Sequence, residues 1–177
     1  MPLAELVGPA PVEAMGKIAQ GSHAQNFSQA AHGAQFAEVA VNAVTGEVRV
    51  RRMLGVFEAG RILNAKTARS QAIGGMIWGI GYAMHEDAVV DKRTGQFVNH
   101  DLAEYHVPSH ADVPPLDVLF IEEPDTKANP LGIKGLGELS ISGAGAAVTN
   151  AIYNACGVRV RDFPLTLDKI LAHLPPL

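Results

Sequence analysis

Residues 132–157 read GIKGLGELSISGAGAAVTNAIYNACG, a glycine-rich loop that runs directly into an apolar helix pattern. Ile141, Ala144, Val148, Ala151, Ile152 and Ala155 recur at three- and four-residue spacing, which puts them on one helical face. Ser140 and Ser142 offer hydroxyls for the N-cap, and Gly157 offers a C-terminal stop. Glu138 then falls within a residue or two of the helix start, where unpaired N–H groups and the helix dipole favour negative charge. Gly135 and Gly137 leave room for something bulky beside that carboxylate. Two readings stand side by side at this point: a charge that merely stabilises a helix start, or a carboxylate presented to a ligand.

A second glycine-loaded helix is expected from Asn64 or Thr67, as cap, to about Glu86, with Ile73, Ile77, Ile80 and Met84 as its apolar stripe. Gly74, Gly75, Gly79 and Gly81 each cost such a helix about 1 kcal/mol relative to Ala. Close approach of another backbone or of a ligand is the expected compensation. Upstream, Phe36, Glu38, Ala40 and Asn42 alternate against Ala37, Val39, Val41 and Ala43, Thr45-Gly46 signals a turn, and residues 47–57 resume a β-rich run, which together predict a hairpin. A second hairpin is expected between 88–90 and 96–98, a strand over 117–121, a short edge element at 159–160, and a closing helix over 164–174 capped by Thr166. The pattern is that of an α+β domain of two layers, a mixed β-sheet covered by helices on one side. Residues 1–31, broken by Pro2, Gly8, Pro9 and Pro11, read as a linker or truncated end, and 32–177 as the domain.

Several functions are disfavoured by what the chain lacks. The net charge of −4 comes without a basic stripe to neutralise phosphates, which argues against a nucleic-acid partner. One cysteine, Cys156, excludes an internal disulfide and a cysteine-held iron–sulfur site. His106 and His110 are four apart, but Pro108 between them disfavours the helix that a zinc pair needs, so no metal ligands are assigned. The longest charge-free apolar run, 72–84, is too short to span a bilayer, and no basic region followed by an apolar core opens the chain. No membrane partner is expected, and the location is cytoplasmic, or periplasmic if exported with a partner subunit. The phosphate loop, the dinucleotide fingerprint and the Gly-x-Ser-x-Gly elbow are all missing.

What remains resembles a known family. Lys134-Gly135-Leu136-Gly137-Glu138 is similar to the Lys-x-x-Gly-Glu motif near the C-terminus of the molybdenum hydroxylases, the xanthine dehydrogenase and aldehyde oxidase family. Glu58-Ala59-Gly60-Arg61-Ile62-Leu63-Asn64-Ala65, then Gln71-Ala72-Ile73-Gly74-Gly75 and Gly79-Ile80-Gly81, resemble the same family's Asp-x-Gly … Asn-Pro … Gln-x-x-Gly-Gly … Gly-x-Gly block. Tyr105-x-x-Pro108, Ile121-Glu122-Glu123-Pro124 and the closing 161–166 resemble the bacterial aldehyde-oxidising branch. Two positions depart from the pattern: Glu58 stands for the family's Asp, and Ala65 for its Pro. The molybdenum subunit of that family is several times longer, so the resemblance is to its C-terminal portion.

The resemblance implies a molybdenum–molybdopterin cofactor, with the cytosine dinucleotide form as one variant, and oxidation of aldehydes or N-heterocycles with water-derived oxygen. It assigns Glu138 as general base, Gln71 as a cofactor-contacting glutamine, and Gly135 and Gly137 as the backbone beside the cofactor. Lys134 is expected either to hold an anionic group or to sit at the surface. Partners implied are the rest of the molybdenum subunit and the iron–sulfur and FAD subunits that carry electrons away. The alternative is an isolated module without activity, serving as a docking or dimerisation surface.

Overall fold

The computed structural model describes residues 22–176, together with 5, 7, 8 and 13–16. The reading of 1–31 as a linker lies largely outside the described residues. After a 3-10 turn at Ser22–Gln25, the elements are β1 (His32–Val41), β2 (Val48–Glu58), α1 (Ala65–Met84), β3 (Leu116–Ile121), α2 (Leu139–Cys156) and α3 (Leu167–Leu171). The sheet order is β1-β2-β3, with β1 antiparallel and β3 parallel to the central β2. This is the expected two-layer α+β arrangement with a mixed sheet.

The hairpin follows its local signals. Asn42 Oδ1 accepts from the Val44 and Thr45 N–H groups, and Gly46 takes φ 75°, a left-handed conformation open to glycine. The register slips between Glu38 and Val39, a bulge that the alternation did not announce. β3 pairs in parallel because the chain must cross over the sheet through α1 and the 85–115 excursion before returning.

Asn64 caps α1 as expected: its Oδ1 accepts from the Thr67 N–H at 3.1 Å. The buried stripe of α1 differs from the expected one. Ala68, Ala72, Met76, Gly79, Ile80 and Ala83 face inward, while Ile73 and Ile77 are only half-buried. The reason is α2, which lies directly against α1. A Cβ at Gly79 would collide with Ala144 Cβ, and one at Gly75 with Ser140 Oγ. Small residues let the helices approach, so bulky ones are displaced to the flanks. Tyr82 crosses from α1 to α2, its hydroxyl donating to Ile141 O at 3.3 Å and accepting from Gly145 N–H at 3.1 Å. The core below is built from Met53, Ile80, Ala144, Val148, Ile152, Leu165 and Ile170, packed against the inward residues of the hairpin. Gly81 is explained separately: the 99–115 excursion folds over it, with Pro108 seated against it and Tyr105 Oη donating to Glu86 Oε2 at 2.9 Å.

Three expectations need correction. The second hairpin reduces to one bridge, Val90 with Phe97, closed by the turn at 91–95. Residues 159–160 form no strand. The closing helix keeps Thr166 at its cap position, without a side-chain capping bond, but spans only Leu167–Leu171. Among the described residues, no helix is long and apolar enough to cross a membrane.

Candidate active site

The site is built where the start of α1, the end of β2 and the loop before α2 converge. β2 ends in Glu58, which is 3% exposed although charged. The chain then turns at Gly60, whose φ of 70° and contact with Gly132 O leave no place for a side chain. Gly60 bridges Ile133 in antiparallel fashion, Arg61 N–H donates to Gly132 O at 2.7 Å, and Lys134 N–H donates to Ala59 O at 3.0 Å. Asn129 secures the other side of the same strap, donating through Nδ2 to Ile133 O at 2.7 Å.

Lys134 does not reach outward. Its ammonium donates to Glu58 Oε2 at 2.8 Å and lies 3.5 Å from Asp125 Oδ2. Glu58 Oε1 accepts from the Gly60 N–H at 2.7 Å, and His32 Nδ1 lies 3.3 Å from Oε2. Burial pushes the Glu58 carboxyl up, but the Lys134 hydrogen bond, the Gly60 N–H and the neighbouring positive charge together outweigh it and hold the group below the usual carboxylate range. The hydrogen bond to Glu58 raises Lys134, against its own burial. Of the two roles expected for Lys134, the surface one is not observed: the anionic group that the ammonium holds is the chain's own Glu58 carboxylate. Sequence reasoning missed this because the partners are 76 residues apart.

Beyond Lys134 the chain opens. Gly135 and Gly137 are exposed, and a Cβ added to either meets none of the described residues within 4 Å. Gln71, near the end of the second turn of α1, donates its amide to Gly137 O at 2.7 Å. Glu138 follows as the N-cap residue of α2, with φ −113°, ψ 5°. It is exposed, and its side chain makes no capping bond. The expected serine caps are therefore replaced. Ser140 is buried in the first turn with its Oγ unpartnered against α1, and Ser142 Oγ donates back to Leu139 O at 2.8 Å. Gly157 closes α2 as expected, with φ 75°. A cleft of ≈ 360 Å³ adjoins, lined by Arg61, Asn64, Thr67, Gln71, Lys134 and Leu136 among others. The structure thus brings together Gln71, Gly137 and Glu138, with Gly135 two residues before Gly137 in the same loop.

These residues suit a bulky, hydrogen-bonding group. The two glycines face open space rather than protein. The Gln71 amide keeps a second N–H and its carbonyl oxygen beyond the bond to Gly137, so it can donate and accept toward a heterocycle edge. Glu138 adds an acceptor-only carboxylate with no capping duty.

Comparison with known proteins gives the family and the fold. The aldehyde oxidoreductase molybdenum-binding subunit PaoC of Escherichia coli K12 is 56% identical over 120 residues, which are 68% of this chain and 16% of that one. The crystal structure of the aldehyde oxidoreductase from Desulfovibrio desulfuricans matches with a TM-score of 0.70 at 34% identity, over 78% of this chain and 15% of that one. Quinoline 2-oxidoreductase from Pseudomonas putida 86 matches with a TM-score of 0.73 at 29% identity, over 81% and 19%. This chain spans about one sixth of the length of the curated relatives first matched. The family model of the molybdopterin cofactor-binding domain matches residues 2–114, a range that includes Gln71 and stops short of Glu138. On that match, and on a fold shared with the solved relatives, the chain belongs to the molybdopterin cofactor-binding domain family.

Proposed function

We propose that residues 32–177 form the base-bearing part of a molybdenum hydroxylase site that oxidises aldehydes or N-heterocycles with oxygen taken from water. The observation that carries this reading is the bond from Gln71 to Gly137 O, which sets an uncapped carboxylate beside open glycine backbone at a helix start. A molybdenum–molybdopterin cofactor, in its cytosine dinucleotide form or the shorter one, supplies the redox chemistry when bound. Gln71 holds the pterin edge through the free half of its amide, and Gly135 and Gly137 let the cofactor approach the main chain. Glu138 accepts a proton during oxidation of the substrate carbon. A general base has to come within about 3 Å of the proton it takes, and an exposed carboxylate with no hydrogen-bond partner among the described residues is free to do so.

In this reading the rest of a molybdenum subunit completes the pocket, and iron–sulfur and FAD subunits take the electrons, in the cytoplasm or, with an exported partner, the periplasm. Several relatives are named as molybdenum-binding or gamma subunits of larger complexes, which supports partner subunits in general. Glu138→Gln in the complete subunit tests the reading. Turnover should fall by at least about a hundredfold, the scale of a lost general base, with molybdenum content near that of the wild type. Retained turnover would remove Glu138 from the mechanism and favour a docking module instead.

A further inference from the structure

We infer that Glu58 and Lys134 are positioning residues whose buried ion pair roots the 135–138 loop, so that Glu138 is presented from a fixed base. A carboxylate that is 3% exposed at the end of a strand needs a reason, since burying a charge is costly unless it is paired and hydrogen-bonded. The pairing here is complete on the Glu58 side: Lys134 Nζ at 2.8 Å, Gly60 N–H at 2.7 Å and His32 Nδ1 at 3.3 Å. On the Lys134 side, Asp125 lies at 3.5 Å and Ala30 O accepts at 3.4 Å.

The placement of this cluster is what gives it a role. Residues 132–134 are held by main-chain bonds to 59–61, and those bonds stop at Lys134. The next restraints are the Leu139 N–H bond to Leu136 O at 3.2 Å and the Gln71 bond to Gly137 O. Only Gly135 and Leu136 lie between the two anchors, and a Cβ added at Gly135 would meet none of the described residues within 4 Å. A glycine-rich loop with so little packing is held by its ends. One end carries the ion pair together with the main-chain bonds to 59–61, and the other leads straight into Glu138. Loss of the ion pair leaves the proximal end on its main-chain bonds alone and widens the motion of Glu138 about the amide clasp. Two charges rather than an apolar pair suit this task, because a charge-assisted hydrogen bond is shorter and roughly twice as strong as a neutral one.

The bearing on catalysis rests on the assignment of Glu138 above, whereas the effect on loop order does not. Backbone 15N order parameters of the 177-residue chain are the direct measure. In the wild type, Ile133 to Glu138 should sit near the rigid range, about 0.8. Lys134→Met should bring Gly135, Gly137 and Glu138 below about 0.6 while residues of α1 and of the hairpin keep their values. Glu58→Gln should do the same to a smaller extent, and Lys134→Arg should restore order. An unchanged loop in Lys134→Met, or a loosening spread evenly over the chain, would overturn the inference. In the cofactor-loaded subunit, Lys134→Met should lower kcat about tenfold or more with KM and molybdenum content little changed. If neither Lys134→Met nor Glu138→Gln affects turnover while the loop loosens as expected, the positioning role stands and the assignment of Glu138 falls.

Discussion

Glycines do opposite work in the two halves of this site. In α1, Gly75 and Gly79 are filled from outside: the space their missing side chains leave is taken by Ser140 and Ala144 of α2. In the loop before α2, Gly135 and Gly137 leave space that none of the described residues takes. The same residue type thus marks a closed contact between helices in one place and an open face in the other. The difference teaches that a glycine in a candidate site is informative only once its neighbours are known. Cost alone, about 1 kcal/mol in a helix, says that a reason exists and not which one.

The largest expected effect on stability falls on the root of the open loop. Lys134→Met strands a buried carboxylate, which should cost about 2–3 kcal/mol, toward the low end for a broken buried pair because the ammonium side keeps some solvent contact. The pH dependence has a definite sign. Glu58 is held below its ordinary range by groups that only folding brings to it: Lys134, the Gly60 N–H and His32. Its contribution is therefore full above the unfolded carboxyl value and is lost as pH falls through the folded one. Lys134 is raised, so its share is full below the ordinary lysine value and is lost as pH rises through the folded one. Denaturant melts between about pH 6 and pH 3 should show the wild type losing more stability than Lys134→Met, which has less left to lose. Equal slopes would mean that the pair does not couple to folding.

Next in size is the closed half. Gly79→Ala places a methyl group on Ala144 Cβ, with the α2 backbone just behind it. Overpacking of a tight contact costs typically 1–3 kcal/mol, and the gain in helix propensity offsets part of it. A net loss of about 1–2 kcal/mol is expected in a denaturant titration. Adding Ala144→Gly should recover part of it. A neutral Gly79→Ala would show that the two helices can move apart freely, and the contrast between closed and open glycines would lose its basis.

Much of this was legible along the chain, and the pattern of successes has a physical cause. The hairpin turn, the Asn64 cap, the strand at 116–121 and the Gly157 stop all depend on residues within a few positions of one another. The motif around Glu138 was legible as well, because its glycines and carboxylate are consecutive. What did not show was long-range. The Glu58–Lys134 pair joins residues far apart in sequence, and the identity of the buried α1 face depends on α2 being there. Ser140 illustrates the same limit. Its hydroxyl is chemically suited to cap α2, yet the helix begins at Leu139 and carries the side chain into the α1 contact. The 96–98 arm carried the β pattern but found no partner strand beyond one bridge, so a local signal was present without the pairing that would complete it.

The smallest stability effect belongs to the open glycines, and it separates the two regions most cleanly. Gly74 lies on the exposed side of α1 with nothing within 4 Å, so Gly74→Ala should stabilise the chain by about 0.5–1 kcal/mol through helix propensity alone. Gly137 has equally open space, but it sits in the loop next to Glu138 and has a φ that alanine can adopt. Gly137→Ala should therefore shift stability by less than about 0.5 kcal/mol, as surface changes away from special features do. If the open face exists for a ligand, the added methyl enters the ligand's volume, and the molybdenum content of the loaded subunit should drop while the melting curve stays put. Gly74→Ala should leave metal content alone. Should both variants load equally, the space before Gly137 serves no cofactor, and the openness of that loop would be no more than that of an ordinary surface turn.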